Sequence, residues 1–183
     1  MPVDGLLPTV PTEAGSKHEN VTKYDVLYQF YRAVIMSSIR EEMPVLVRHE
    51  GDWRGTYTVI DNQGNIIDQH NSHLTCQFPD SGKYPYYQIN RYEWADGKKE
   101  EYQFPGTYRD QKIWFDTERL DGYAWEVDDS TIILWITYKG MSDFYIYEMI
   151  NISPDNNHRA RTWHWFNHHQ IVKRTIITEE RVR

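Results

Sequence analysis

From Gly51 onward the chain is punctuated by turn signals at intervals of roughly 8–15 residues, with no helical stretch between them. They read DNQGN at 61–65, PDSGK at 79–83, ADGKK at 95–99, RDQK at 109–112, VDDS at 127–130, YKGMSD at 138–143, SPDNNH at 153–158 and FNHHQ at 166–170. Gly, Asn and Asp tolerate the positive φ that tight hairpin turns require. The runs between them are rich in Tyr, Trp, Thr, Ile and Val, which suit a pleated surface. This pattern predicts an all-β, antiparallel, up-and-down sheet of about ten strands. They fall near 52–60, 66–78, 84–94, 99–107, 112–118, 122–127, 131–138, 143–152, 158–166 and 171–181. An open sheet of that length leaves two unpaired edges, and closing it into a barrel removes them. A sandwich is the alternative, but its crossovers need longer connections than these.

Ahead of the strands the text differs. Residues 1–20 are rich in Pro, Gly, Thr and Ser and read as a flexible N-terminal arm. Leu27, Phe30, Tyr31, Val34 and Ile35 then recur at one-face helical spacing through about Arg40, and Pro44 interrupts before a short turn over 43–49. The expected domain therefore spans 21–183, with a short helical segment over 21–48 that covers the sheet or plugs a barrel end.

Charge narrows the partners. Twenty basic and 27 acidic residues leave a formal net charge of −7, which argues against nucleic acid and against an anionic membrane surface. No apolar run approaches the ~18 residues of a membrane span, and no secretory signal is visible. The lone Cys76 fits a reducing compartment, so a cytoplasmic location is expected. Aromatics make up 15% of the chain, with 14 Tyr and 7 Trp. Such rings line ligand cavities, and they are also favoured by strands in general; both explanations stay open.

Two matches carry a family resemblance, one short and one spread along the chain. Gly51-Asp52-Trp53-Arg54-Gly55-Thr56-Tyr57 resembles the lipocalin and wider calycin signature, a Gly-x-Trp at the start of the first strand whose Trp packs across the barrel floor. A broader match covers residues 72–79, 86–90, 103–108, 124–129 and 158–165. These stretches are similar to a cyanobacterial family long catalogued as a domain of unknown function, with a calycin-like barrel. Within that neighbourhood the chain resembles the cyclases of the scytonemin pathway. The resemblance implies a cofactor-independent enzyme that closes a ring on an indole-containing β-keto acid, with loss of water and carbon dioxide. It carries no catalytic residue with it.

Candidate residues follow from strand alternation, since i and i+2 share a face. Glu148 shares a face with Phe144, Ile146 and Ile150, an unusual setting for a carboxylate. Arg161 shares one with Arg159, Trp163 and Trp165 on the next strand, so the two can meet across the ladder. They read as an acid and a carboxylate clamp, or as a structural ion pair. His73 is a candidate general acid–base, or an exposed strand histidine. Arg91 is a second carboxylate ligand, and Tyr87, Gln88 and Trp163 complete the expected substrate contacts. No metal is expected, because His70 and His73 fall on opposite faces and His168 and His169 sit at a hairpin tip. The expected partner is a small aromatic ligand or substrate, with a homo-oligomer left open. A carrier or sensor with the same pocket and no chemistry is the alternative to the enzyme.

Overall fold

The computed structural model describes residues 22–183; the arm expected over 1–20 lies outside the described residues. Helix α1 runs Lys23–Glu42 and α2 Pro44–Val47. Thr22 caps α1, its hydroxyl accepting from the Asp25 amide at 3.1 Å while the Asp25 carboxylate accepts from the Thr22 amide at 2.8 Å. The helix breaks at Met43 because Pro44 has no N–H to continue it. Ten strands follow: β1 Gly51–Asp61, β2 Ile66–Gln77, β3 Tyr86–Glu93, β4 Lys99–Arg109, β5 Lys112–Asp116, β6 Leu120–Glu126, β7 Thr131–Tyr138, β8 Met141–Ile152, β9 His158–Asn167 and β10 Gln170–Arg181. Each pairs with its neighbours in sequence, and β1 pairs with β10, so the sheet is a closed antiparallel barrel of ten strands.

The turns that announce the barrel do so for the expected reason. Asp110 and Gln111 both take positive φ in the β4–β5 hairpin, and His168 and His169 do the same between β9 and β10. Gly55 is required for a different reason. A Cβ there would lie 2.0 Å from the Thr178 carbonyl oxygen of β10, so only glycine lets the two strands meet at the seam.

One end of the barrel is plugged. Ile39 of α1, Met43 at the junction, and Val45 and Leu46 of α2 are buried against Trp53, Leu74, Phe78, Tyr86, Ile113 and Ile132. This corrects the helical reading. The stripe expected to cover the sheet includes Leu27, Phe30 and Tyr31, which are 53%, 69% and 66% exposed. The seal comes from the last turn of α1 and from α2. The first turns of α1 present their apolar side chains to solvent. No described helix is long and apolar enough to cross a membrane.

Candidate functional site

The face of each strand follows from Trp53. It is fully buried, and its cross-strand partner is Leu74, also fully buried. Partners directly opposite share a face, so Asp68, His70, Ser72, Leu74 and Cys76 point inward and His73 and Thr75 outward. Similarly, β3 turns Tyr86, Gln88, Asn90 and Tyr92 inward, β8 turns Ile146 and Glu148, β9 turns Arg159, Arg161, Trp163 and Trp165, and β10 turns Lys173, Thr175 and Glu179.

Above the plug lies a buried ionic layer. The Trp53 ring sits between the guanidinium groups of Arg159 and Arg181, each 4.2 Å from its centroid, and its Nε1 donates to the His49 carbonyl at 2.9 Å. Arg159 Nε donates to Glu179 Oε2 at 2.9 Å. Arg161 Nε donates to Glu148 Oε1, and its Nη1 donates to Tyr57 Oη at 2.9 Å and to Glu179 Oε1 at 3.3 Å. All four charged side chains are 3% exposed or less. Within this buried group Arg159 and Arg161 are balanced by Glu148 and Glu179, while Arg181 at its edge donates to backbone carbonyls. That balance is what allows the group to be buried at all. Burial works against the Arg161 charge, but Glu148, Tyr57 and Glu179 outweigh it and raise its pKa further. His49 is pushed the other way. Burial first, then the Arg159 and Arg161 charges, lower its pKa well below the usual value, so it is neutral.

Over this layer opens a cavity of about 270 Å³. One wall is a polar ladder along β3. Tyr86 Oη donates to Gln88 Oε1 at 3.0 Å, Gln88 Nε2 to Asn90 Oδ1 at 2.9 Å, and Asn90 Nδ2 to Tyr92 Oη at 2.9 Å. Burial pushes the Tyr92 phenol up to about 12, so it stays protonated. On the adjacent wall Asp68 Oδ2 lies 2.9 Å from His70 Nδ1, and Asp68 Oδ1 accepts from Trp94 Nε1 at 2.8 Å. The His70 ring stacks on Tyr57 at 5.1 Å and packs against Tyr92 and Trp94. Rings of Tyr102, Tyr138, Trp163 and Trp165 complete the lining. Toward the hairpin end stand Lys173, 4.4 Å from the Trp165 centroid, and Arg119, 4.6 Å from that of Tyr102. No carboxylate of the described residues pairs with either cation.

Comparison with known proteins places this barrel. The family model described as "Domain of unknown function (DUF3598), N-terminal" matches residues 40–183. The chain belongs to the DUF3598 family. A crystal structure of a DUF3598 protein from Nostoc punctiforme is similar at 18% identity and a TM-score of 0.58, over 75% of this chain and 49% of that one. This chain thus spans about half the length of that relative. An S-type phycobiliprotein lyase from Guillardia theta is similar at 16% identity and a TM-score of 0.60, over 84% of this chain and 98% of the other. At those identities the likeness is one of fold. No curated protein matches the chain.

Within this DUF3598 barrel the expected residues divide. Glu148, Arg161, Trp163 and Gln88 line the cavity. His73, Arg91 and Tyr87 stand on the outer wall. His73 Nε2 lies 3.0 Å from Asp52, Arg91 pairs with Glu101 at 3.0 Å, and Tyr87 Oη donates to Gln103 at 2.6 Å. The geometry removes these three from the cavity, because an inward Trp53 and Leu74 force odd-numbered residues of β2 outward. Arg161 is inside, but its Nε and Nη1 donate to Glu148, Tyr57 and Glu179 rather than toward open space. Sequence reading missed His70, Asp68, Tyr92, Lys173 and Arg119. The signal for the first two was present: Asp68, His70, Ser72, Leu74 and Cys76 form one alternating set whose far end is apolar.

Proposed function

We propose that the barrel binds a small, flat aromatic compound bearing a carboxylate. The observation that carries this reading is the pairing of a ring-lined cavity with two mouth cations, Lys173 and Arg119, that form no ion pair with a described carboxylate, although Glu100 also lines the cavity. The rings take the apolar body, and a carboxylate at the mouth meets the cations where solvent still reaches. The volume of about 270 Å³ suits one or two fused rings with a short acid arm, since pockets for drug-sized ligands begin near ~300 Å³. In this reading Glu148 and Arg161 form the cavity floor, and Trp163 and Gln88 touch the ligand.

A titration with indole-3-acetate, read by the fluorescence of the cavity tryptophans, tests the binding. Saturable quenching is expected. Lys173→Ala and Arg119→Ala should each weaken it about 10-fold, the worth of ~1.4 kcal/mol for a charge-assisted contact. An unchanged affinity in both variants would remove the carboxylate from the proposal.

A second reading adds chemistry to the same pocket: the cofactor-independent cyclase of an indole-containing β-keto acid in scytonemin biosynthesis. It is favoured by ionisable side chains facing one cavity, Glu148 from the floor and His70 from the wall. Incubation with that keto acid, followed by carbon dioxide release and product mass, decides it. Turnover no faster than the spontaneous reaction leaves a carrier or sensor.

A further inference from the structure

The Asp68–His70 pair holds a feature that ligand binding in general does not explain. The Asp68 carboxylate can only accept. Oδ1 takes the Trp94 Nε1 proton, so Oδ2 takes one from His70 Nδ1. In a neutral imidazole that leaves Nε2 with a lone pair and no proton. The His70 side chain is 8% exposed, lines the cavity, and its Nε2 has no hydrogen-bond partner. The three rings packed on it belong to Tyr57, Tyr92 and Trp94. The Tyr92 hydroxyl accepts from Asn90 and that of Tyr57 from Arg161, and neither oxygen is a hydrogen-bond partner of His70 Nε2. The Trp94 N–H is spent on Asp68. The wall thus contains a buried acceptor whose tautomer is set by its own carboxylate and whose packed neighbours supply no donor to it.

We infer that His70 Nε2 is the specificity-determining acceptor for a ring N–H or phenolic O–H of the bound aromatic. This rests on the ligand class proposed above and narrows it. Leaving a buried acceptor unmet is costly in a way that meeting it with a matched donor is not, so a site of this kind discriminates against an analogue that lacks the donor. Asp68 is the positioning residue, holding the ring in the acceptor tautomer. Trp94, against the same ring with centroids 4.4 Å apart and anchored to the same carboxylate, covers it from the hairpin end.

The test compares indole-3-acetate with 1-benzothiophene-3-acetate, nearly the same shape with sulfur in place of N–H. The wild-type protein should prefer the indole by about 10-fold or more. His70→Phe keeps a flat ring in the stack and removes the acceptor, so it should abolish the preference while still binding the thiophene. Histidine ¹⁵N spectra of the wild-type protein give an independent reading: Nε2 should be unprotonated in the free protein and move on binding indole-3-acetate but not its sulfur analogue. This keeps the assignment testable should the variant not fold. Binding of neither compound would overturn the aromatic-carboxylate reading and this assignment with it. Equal binding of the two by the wild-type protein, a preference that survives His70→Phe, or a proton on Nε2 in the free protein would overturn the assignment alone.

Discussion

The barrel sorts its aromatic rings into two populations that differ in what they touch. The inner set, Tyr57, Tyr92, Trp163 and Trp165 among them, packs around charged and polar groups. Tyr57 accepts from Arg161, Tyr92 ends the β3 ladder, and Trp165 donates to Thr175 at 2.9 Å. The outer set lies across β5 to β8. Trp114, Tyr123, Trp135 and Tyr147 are successive cross-strand partners in one row, and Trp125, Ile133 and Met149 form the next. Neither row contains a carboxylate, in a chain with 27 acidic residues. The opposite outer wall, β1 to β4, is ordinary by contrast. It carries Asp52, Arg54, His73, Arg91, Glu93, Lys99 and Glu101, several of them ion-paired across strands. The difference teaches that aromatic content by itself does not report a cavity. Half of the case for a ligand site rests on which face of each strand a ring occupies.

The largest effect that would sharpen this contrast lies in the ionic layer beneath the inner set. Glu179 holds both Arg159 and Arg161. Glu179→Ala should cost about 3–5 kcal/mol, because it leaves buried guanidinium charge without its partner. Urea unfolding measures it, and a loss under about 1 kcal/mol would mean that water reaches the layer. Next comes a direct comparison of the two ring sets. Trp163→Ala should lower stability by about 3 kcal/mol and abolish ligand quenching. Trp135→Ala on the outer wall should cost about 1 kcal/mol and leave binding unchanged. Equal effects from the two would collapse the distinction.

On the inner side, acid should act through His49. His49 is held neutral in the fold by burial and by the Arg159 and Arg161 charges, while the unfolded chain protonates it near its ordinary value of 6.5. The unfolded state therefore binds the extra proton. Stability is unaffected by this group above about pH 6.5 and falls below it, by at most about 1.4 kcal/mol per pH unit. His49→Gln should flatten the slope between about pH 5.5 and 6.5. A slope as steep in the variant would assign the acid sensitivity elsewhere. The smallest effect belongs to the outer wall. His73→Ala should change stability by no more than about 0.5 kcal/mol, as for other surface ion pairs, and should leave ligand affinity where it was. A large loss of affinity would return His73 to the site.

His73 and His70 also show why the site was only partly legible. The 61–65 turn pairs Ile60 with Ile66. Continued without interruption, that register would set Trp53 opposite His73 and bring His73 inside. A bulge intervenes between Val59 and Ile60, and the pairing becomes Val59 with Asp68 and Trp53 with Leu74. One extra residue on β2 exchanges the two histidines. On β8 and β9 no shift interrupts the ladder between Phe144 and Ile152, and there Glu148 and Arg161 meet as strand alternation predicts.

The sequence by itself determined the architecture. Turn residues with positive φ at regular intervals, and strand-forming residues between them, specify successive hairpins, and ten antiparallel strands leave edges that closure removes. These are local signals, each readable within a dozen residues. Only the tertiary structure decided what the barrel holds. The facing of β2 depends on a single bulge, and the charge balance of the inner layer depends on Glu148, Arg161 and Glu179 from three different strands. The isolation of His70 Nε2 depends on three rings from β1, the end of β3 and the residue after it. Those relations exist only once the chain has closed on itself, because the ion pairs and ring contacts that set them are made between strands.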